Sequence, residues 1–184
     1  MNFTAIDFET AHAQFPCELG LSVVRNGVVV ASDSWLIKPV CFPYMNPWNE
    51  RVHGISTAML ANENSFEHLW SKISNYFSDE ILVAHNASFD MGILRAMFLH
   101  YDLALPNINY FCSLQLARKA WKNLPSHGLG ALSQYHSIQF KHHRAGDDAT
   151  ACALITVKAL SEFSTCSFED AFTLSGVKLK RFLI

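Results

Sequence analysis

The amino-acid sequence predicts an α/β protein in which helices pack on a mixed sheet. Three observations carry this. Two β-rich runs, Leu19–Val24 and Val28–Ile37, flank Asn26-Gly27, a dipeptide that favours a two-residue hairpin. Further on, Phe66, Leu69, Trp70, Ile73 and Phe77 recur at helical spacing within Ser65–Phe77. The short apolar run Ile81–Ala84 then leads directly into a helical pattern from Ser88 to Tyr101. Strands first, then strands alternating with helices, give an α/β layering.

The remaining elements follow in order. Phe3–Phe8 has the β-branched and aromatic character of a strand, so the N-terminus builds three antiparallel strands with the hairpin. Lys38–Asn49 contains Pro39, Pro43 and Pro47 and reads as loop. A strand around Asn109–Cys112 precedes a helix over Ser113–Trp121 and a shorter one over Leu129–Tyr135. The last long helix is expected from about Asp147 to Phe163. The tail 164–184 reads as a short helix plus a docking segment, with Lys178, Lys180 and Arg181 as a solvated basic cluster.

Composition narrows the class. At 184 residues the chain suits one domain, and half of it is hydrophobic, which excludes a disordered polar chain. No apolar run approaches the ~18 residues of a membrane span. Asp7 and Glu9 stand where a signal peptide needs basic and apolar residues, so a cytoplasmic protein with no membrane partner is expected. The five cysteines, at 17, 41, 112, 152 and 166, show no paired spacing and read as reduced core thiols. The formal net charge of −2 carries no basic signature of nucleic-acid binding.

Three acidic segments stand out. In Asp7-Phe8-Glu9-Thr10 the two acids lie two residues apart, so on a strand they share a face and flank an inward Phe8. Two adjacent carboxylates repel unless a cation such as Mg²⁺ neutralises them or water screens them at an exposed edge. In His85-Asn86-Ala87-Ser88-Phe89-Asp90 a buried strand ends and a helix opens, with Asn86 or Ser88 as the cap. Asp90 in the first turn either belongs to a site at the strand end or complements the helix dipole. In His142-His143-Arg144-Ala145-Gly146-Asp147-Asp148-Ala149, Gly146 keeps the approach to the helix pliable and Asp147 is a candidate cap. Asp148 opens the helix and His143 lies on the loop before it; the two histidines also read as a surface pair. Together the segments hold the inventory of a two-metal phosphoryl-transfer site: carboxylates for the cations, and an imidazole to take a proton from water.

These motifs resemble the DnaQ-like (DEDDh) 3′–5′ exonuclease superfamily, which includes the proofreading epsilon subunit of bacterial DNA polymerase III and free-standing bacterial exonucleases. Residues 7–10, 85–90 and 142–149 match its three motifs, the third at His143, Ala145, Asp148 and Ala149. Arg51-Val52-His53-Gly54-Ile55 and Cys112–Arg118 resemble the family's intervening segments, and the order holds over residues 3–162.

The resemblance implies a ribonuclease H-like fold with a five-stranded mixed sheet flanked by helices, an exonuclease domain over 1–163 and a C-terminal tail over 164–184. It implies that Asp7, Glu9, Asp90 and Asp148 hold two divalent cations, Mg²⁺ or Mn²⁺, with Asp7 bridging them and His143 as general base. It further implies that Thr10, Val52, His53, Asn86 and Phe89 surround the terminal nucleotide. His85 is expected to be structural, and His12, His68, His100, His127 and His136 receive no role. The implied activity is hydrolysis of single-stranded DNA from its 3′ end to nucleoside 5′-monophosphates, in proofreading or repair. A 3′–5′ exoribonuclease is the alternative, and a non-catalytic module with the same fold a third class. The implied partners are a single-stranded DNA or RNA 3′ end and a DNA polymerase or other replication or repair protein. Bound cations would reverse the sign of the small net charge locally, so a weak, transient grip on long nucleic acid is expected.

Overall fold

Alternating β-branched and aromatic residues draw out the first three strands. In the computed structural model, which describes residues 1–77, 81–104, 106–163 and 167–183, β1 spans Phe3–His12, β2 Phe15–Arg25 and β3 Val28–Leu36. Asn26 and Gly27 both take positive φ, 53° and 77°, as the predicted two-residue turn requires.

Helix α1 (Pro47–His53) begins inside the stretch expected to be loop. The side chain of Asn46 accepts the N–H of Trp48, and Pro47 occupies the first helical position, where its missing N–H costs nothing. Helix α2 (Thr57–Leu60) and helix α3 (Phe66–Ile73) follow; α3 tightens into a 3₁₀ turn at Ser74–Tyr76 instead of running to Phe77. Next come β4 (Ile81–Ala84), α4 (Ser88–His100), β5 (Asn109–Cys112), α5 (Ser113–Ala120) and α6 (Leu129–Tyr135), close to expectation. Helix α7 spans Ala145–Ser161. It starts before the expected Asp147, because Arg144 is the extended cap residue, so Asp147 and Gly146 lie in the first turn. Gly146 is therefore not a pliable lead. Its backbone rests against β3, where a Cβ would come within 3.0 Å of Ser34 Cβ.

The tail contributes α8 (Phe168–Ser175) and β6 (Lys180–Arg181). Phe172 packs edge-on against Phe111 at 4.9 Å between ring centroids, and the Phe182 N–H donates to Ile108 O with its side chain buried. This contact lays down a sixth strand where five were expected; Lys180 and Arg181 stay exposed on it.

The sheet order is β3-β2-β1-β4-β5-β6, with β1–β4 and β4–β5 parallel and the other pairs antiparallel. Alternation assigns the two faces. Ile6, Phe8, Leu19, Leu21 and Leu82 pack with α3 and α4 on one side. Phe3, Ala5, Val83 and Phe111 pack with α5, α6, α7 and α8 on the other. Ala5 sits beside Val83, so β4 runs out just as β1 reaches Asp7. Beyond that point the β1–β2 ladder shifts register between Glu9 and Thr10, which breaks the regular pairing at the strand end. Asp7 and Glu9 share the parity of Phe3 and Ala5, and so face α7. Cys17 and Cys152 are buried free thiols and Cys41 and Cys112 are partly buried free thiols, as expected; Cys166 lies outside the described residues. No helix among the described residues is long and apolar enough to cross a membrane.

Candidate active site

Three elements deliver the acids to one place. β1 supplies Asp7 and Glu9, the first turn of α4 supplies Asp90, and the first turn of α7 supplies Asp148. Ligand oxygens of Asp7, Glu9 and Asp148 lie within 4.8 Å of one another. Asp90 reaches the cluster from the opposite layer. It is 1% exposed, and its Oδ1 accepts the N–H of Phe8 at 3.1 Å, which ties the start of α4 to β1 between the two strand acids.

The loop before α7 is built around Asp148. Its Oδ2 accepts the backbone N–H groups of His143 (2.7 Å) and Arg144 (3.1 Å), and Oδ1 accepts Nδ1–H of His142 at 2.8 Å. His143 takes φ 66° so that its N–H points back at this carboxylate. Its imidazole stacks on that of His142 at 4.0 Å, and its Nδ1 stands 3.9 Å from Glu9 Oε1.

The electrostatics are those of an over-crowded anionic site. Burial raises the Asp7 carboxyl well above its usual range, with Asp90, Asp148 and Glu9 adding repulsion. Burial and the charge of Asp148 push Glu9 up to about 8. Asp90 and Asp148 are raised chiefly by burial, against the N–H donors and, for Asp148, against His142. His143 is lowered, first by burial and then by His142, so its imidazole is neutral at neutral pH. Carboxylates that cannot all ionise together, with oxygens converging and little cationic compensation, fit hard divalent cations as ligands.

A cavity of about 290 Å³ opens over this cluster, lined by Asp7, Glu9, Asp148, His85, His142 and His143, with Phe8, Phe89 and Leu129 as its apolar walls. Phe89 is 48% exposed and so available to a ligand, not part of the core. Thr10, Val52, His53, Asn86 and Asp90 are not in the lining. Val52 is exposed on α1, whereas Thr10 is buried, its oxygens accepting Nδ2 of Asn49. His53 is buried with both nitrogens engaged: Nε2–H donates to Thr10 O, and Nδ1 accepts the N–H of Ile55. It holds α1 against the end of β1. Neither Asn86 nor Ser88 caps α4. Asn86 instead takes φ 73° at the turn out of β4, a conformation its short amide tolerates. His85 reaches the cavity wall with both ring nitrogens bonded within the fold. Held neutral by burial, with a pKa near 4, it donates Nε2–H to His127 O and accepts from Ser113 Oγ at Nδ1.

Two contributors escape sequence reasoning. His142 holds Asp148. Glu18 on β2, 1% exposed, accepts Nε and Nη2 of Arg144 and the N–H of Ala145. Beside it Gly20 lets the α7 backbone lie flat on β2, since a Cβ there would stand 1.8 Å from Ala145 O. The only signal is an acid and a glycine two residues apart in an apolar strand, Glu18-Leu19-Gly20. Glu18→Gln is expected to lower stability by about 1–3 kcal/mol, because an amide cannot accept all three donors and Arg144 loses its counter-charge. An unchanged midpoint in urea denaturation would remove this anchoring role.

Acids and a histidine gathered at adjoining strand ends of this sheet define a ribonuclease H-like nuclease. More particularly, residues 4–156 match the RNase T exonuclease family model, and the chain belongs to that family. Among curated relatives, it is 30% identical over 164 residues to a PolC-type DNA polymerase III of Thermotoga maritima, covering 85% of this chain and 12% of that protein. It is 25% identical over 168 residues to the 3′-5′ exonuclease DinG of Staphylococcus haemolyticus, covering 88% and 18%. The chain thus spans less than a fifth of the length of these relatives. Among solved structures, exonuclease X in complex with 5′ overhanging duplex DNA superposes with a TM-score of 0.76 at 25% identity, over 95% of this chain and 99% of that one. The nuclease domain of 3′hExo, a DEDDh family member bound to rAMP, has a TM-score of 0.76 at 12% identity, over 99% and 97%, which shows the fold.

Proposed function

We propose that the protein is a metal-dependent 3′–5′ exonuclease that removes nucleoside 5′-monophosphates from single-stranded 3′ ends of DNA. The supporting observation is the convergence of Asp7, Glu9 and Asp148 under the neutral imidazole of His143, with Asp90 buried behind them. The four carboxylates would hold Mg²⁺ or Mn²⁺. When bound, two such cations supply a water of lowered pKa and compensate charge on the phosphate and leaving oxygen. With Nδ1 of His143 turned toward Glu9, its Nε2 takes the proton of the attacking water. Phe89 and Leu129 receive the terminal base. Val52 and Asn86, both exposed, would contact the same nucleotide, while the His53 bond to Thr10 O fixes the end of β1. The relatives that carry a polymerase support a replication or repair partner. Residues 1–163 supply this site, and within the tail β6 closes the far edge of the sheet.

The decisive assay offers 3′-ended single-stranded DNA and matched RNA with Mg²⁺ or Mn²⁺, with and without chelator. Release of 5′-mononucleotides that chelator stops, faster on DNA, is expected. No mononucleotide from either polymer, or release indifferent to chelator, would end this reading; faster release from RNA would shift it to an exoribonuclease.

A further inference from the structure

The charge of this chain is unevenly distributed. Between Asp102 and Asp147 there is no Asp or Glu at all, while Arg118, Lys119, Lys122, Lys141 and Arg144 fall within that stretch. The rest of the chain carries all 16 acids. The acid-free segment contains α5, α6 and the loop that bears His142 and His143. It also lines the largest cleft described, about 530 Å³, whose walls include Lys119, Trp121, Lys122 and Tyr135.

This cleft is suited to a polyanion with flat bases. Lys119 and Lys122 are exposed, and neither makes an ion pair among the described residues. Tyr135 is 59% exposed. Trp121 is a fixed wall, its Nε1–H donating to Glu162 Oε1 and its ring 4.4 Å from that of His136. Glu162, the acid in the lining, is thereby occupied with the indole.

Helix α6 runs between the cleft and the catalytic pocket. Leu129 at the start of α6 lines the pocket and Tyr135 at its end lines the cleft, about 9 Å apart along the helix at 1.5 Å per residue. A smaller apolar hollow shares Leu124 and Tyr135 with the cleft and reaches back to Ser126. The same loop is pinned at both ends, by His85 to His127 O and by His127 Nε2–H to Trp121 O, each at 2.9 Å.

Resting on the exonuclease reading, we propose that the single strand 5′ of the scissile nucleotide runs from the catalytic pocket along α6 into this cleft, with phosphates at Lys119 and Lys122 and a base stacked on Tyr135. The cleft gives the enzyme a preference for substrates long enough to reach it. Stacking on an aromatic face tolerates any base, so the preference concerns length and not sequence.

The test compares a dinucleotide with a 12-nucleotide single strand on the full chain, wild type against Lys119→Glu/Lys122→Glu and against Tyr135→Ala. Wild type should favour the 12-mer in kcat/KM. In each variant kcat/KM for the 12-mer should fall about tenfold more than for the dinucleotide. Anisotropy of a labelled 12-mer should show the salt dependence of binding flatten in the charge variant by about 1.4 in slope, for two lost phosphate contacts. Equal losses on both lengths, or none on the 12-mer, would overturn the cleft. If wild type cuts neither length, the exonuclease reading fails separately. The cleft then stands if the charge variant loses 12-mer affinity and falls if it does not.

Discussion

Asp7→Asn is expected to abolish nuclease turnover while making the metal-free protein more stable. Both effects come from one carboxylate. Asp7 lies on β1 at the point where β4 ends, desolvated and repelled by Asp90, Asp148 and Glu9. In the resting protein that charge only costs stability, so the amide should raise it by about 1–2 kcal/mol, or about 2–8 °C in melting temperature at this chain length. With the ligand gone, the loss of charge compensation at the phosphate should lower turnover on the order of 10³-fold or more. The pH dependence follows with a definite sign. Asp7, Glu9 and Asp90 are raised in the folded state, so their stabilising contribution is complete below their unfolded values near 4 and is lost as pH rises through the folded ones, about 8 for Glu9. Metal-free wild type should therefore melt at progressively lower temperature from pH 5 to 8.5, the variant less steeply, and Mg²⁺ should restore the wild type. Scanning calorimetry across that range, with and without Mg²⁺, checks it. Normal turnover in the variant, or a metal-free melting temperature below wild type, would remove Asp7 from the centre of the site.

Local patterns in the sequence account for most of the architecture. Asn26-Gly27 fixes the hairpin because both residues accept positive φ, and the helical spacing from Phe66 to Ile73 marks α3 because one face must be buried. The acids of the site are visible because Asp7 and Glu9 share strand parity and because Asp90 and Asp148 open helices. What depends on contact between distant segments is not visible. The sixth strand forms because Phe182 finds a core position beside Ile108, far from it in sequence. His53 has the type and position of a substrate contact, yet its nitrogens are consumed by Thr10 and Ile55, which only the packing of α1 on β1 reveals. Glu18 is silent for the same reason: its partners, Arg144 and Ala145, lie across the whole fold. The small net charge misleads because a local basic stretch is averaged against acids concentrated elsewhere.

The adjacent histidines should separate by function when each is replaced. In His143→Gln the backbone N–H still donates to Asp148 Oδ2 and every carboxylate remains in place, so cation affinity should stay within about twofold of wild type. The proton acceptor is gone, and kcat should fall by about 10²- to 10⁴-fold. His142→Ala has the opposite signature. It removes the Nδ1–H bond to Asp148 Oδ1, leaving that carboxylate held on one oxygen only, by the N–H groups of His143 and Arg144. Cation affinity should weaken by about 10- to 100-fold, as for other partners that orient a metal ligand, while kcat at saturating Mg²⁺ recovers most of its value. Titration calorimetry with Mg²⁺ beside single-turnover kinetics distinguishes the two. A collapse of affinity in His143→Gln with kcat preserved, or the reverse pattern in His142→Ala, would exchange the two roles. Their stacked rings explain why neighbours can divide the work. At 4.0 Å the His142 ring, anchored on Asp148, stacks on the His143 ring and adds to the burial that lowers its basicity, so the neighbour that orients a carboxylate also acts on the base.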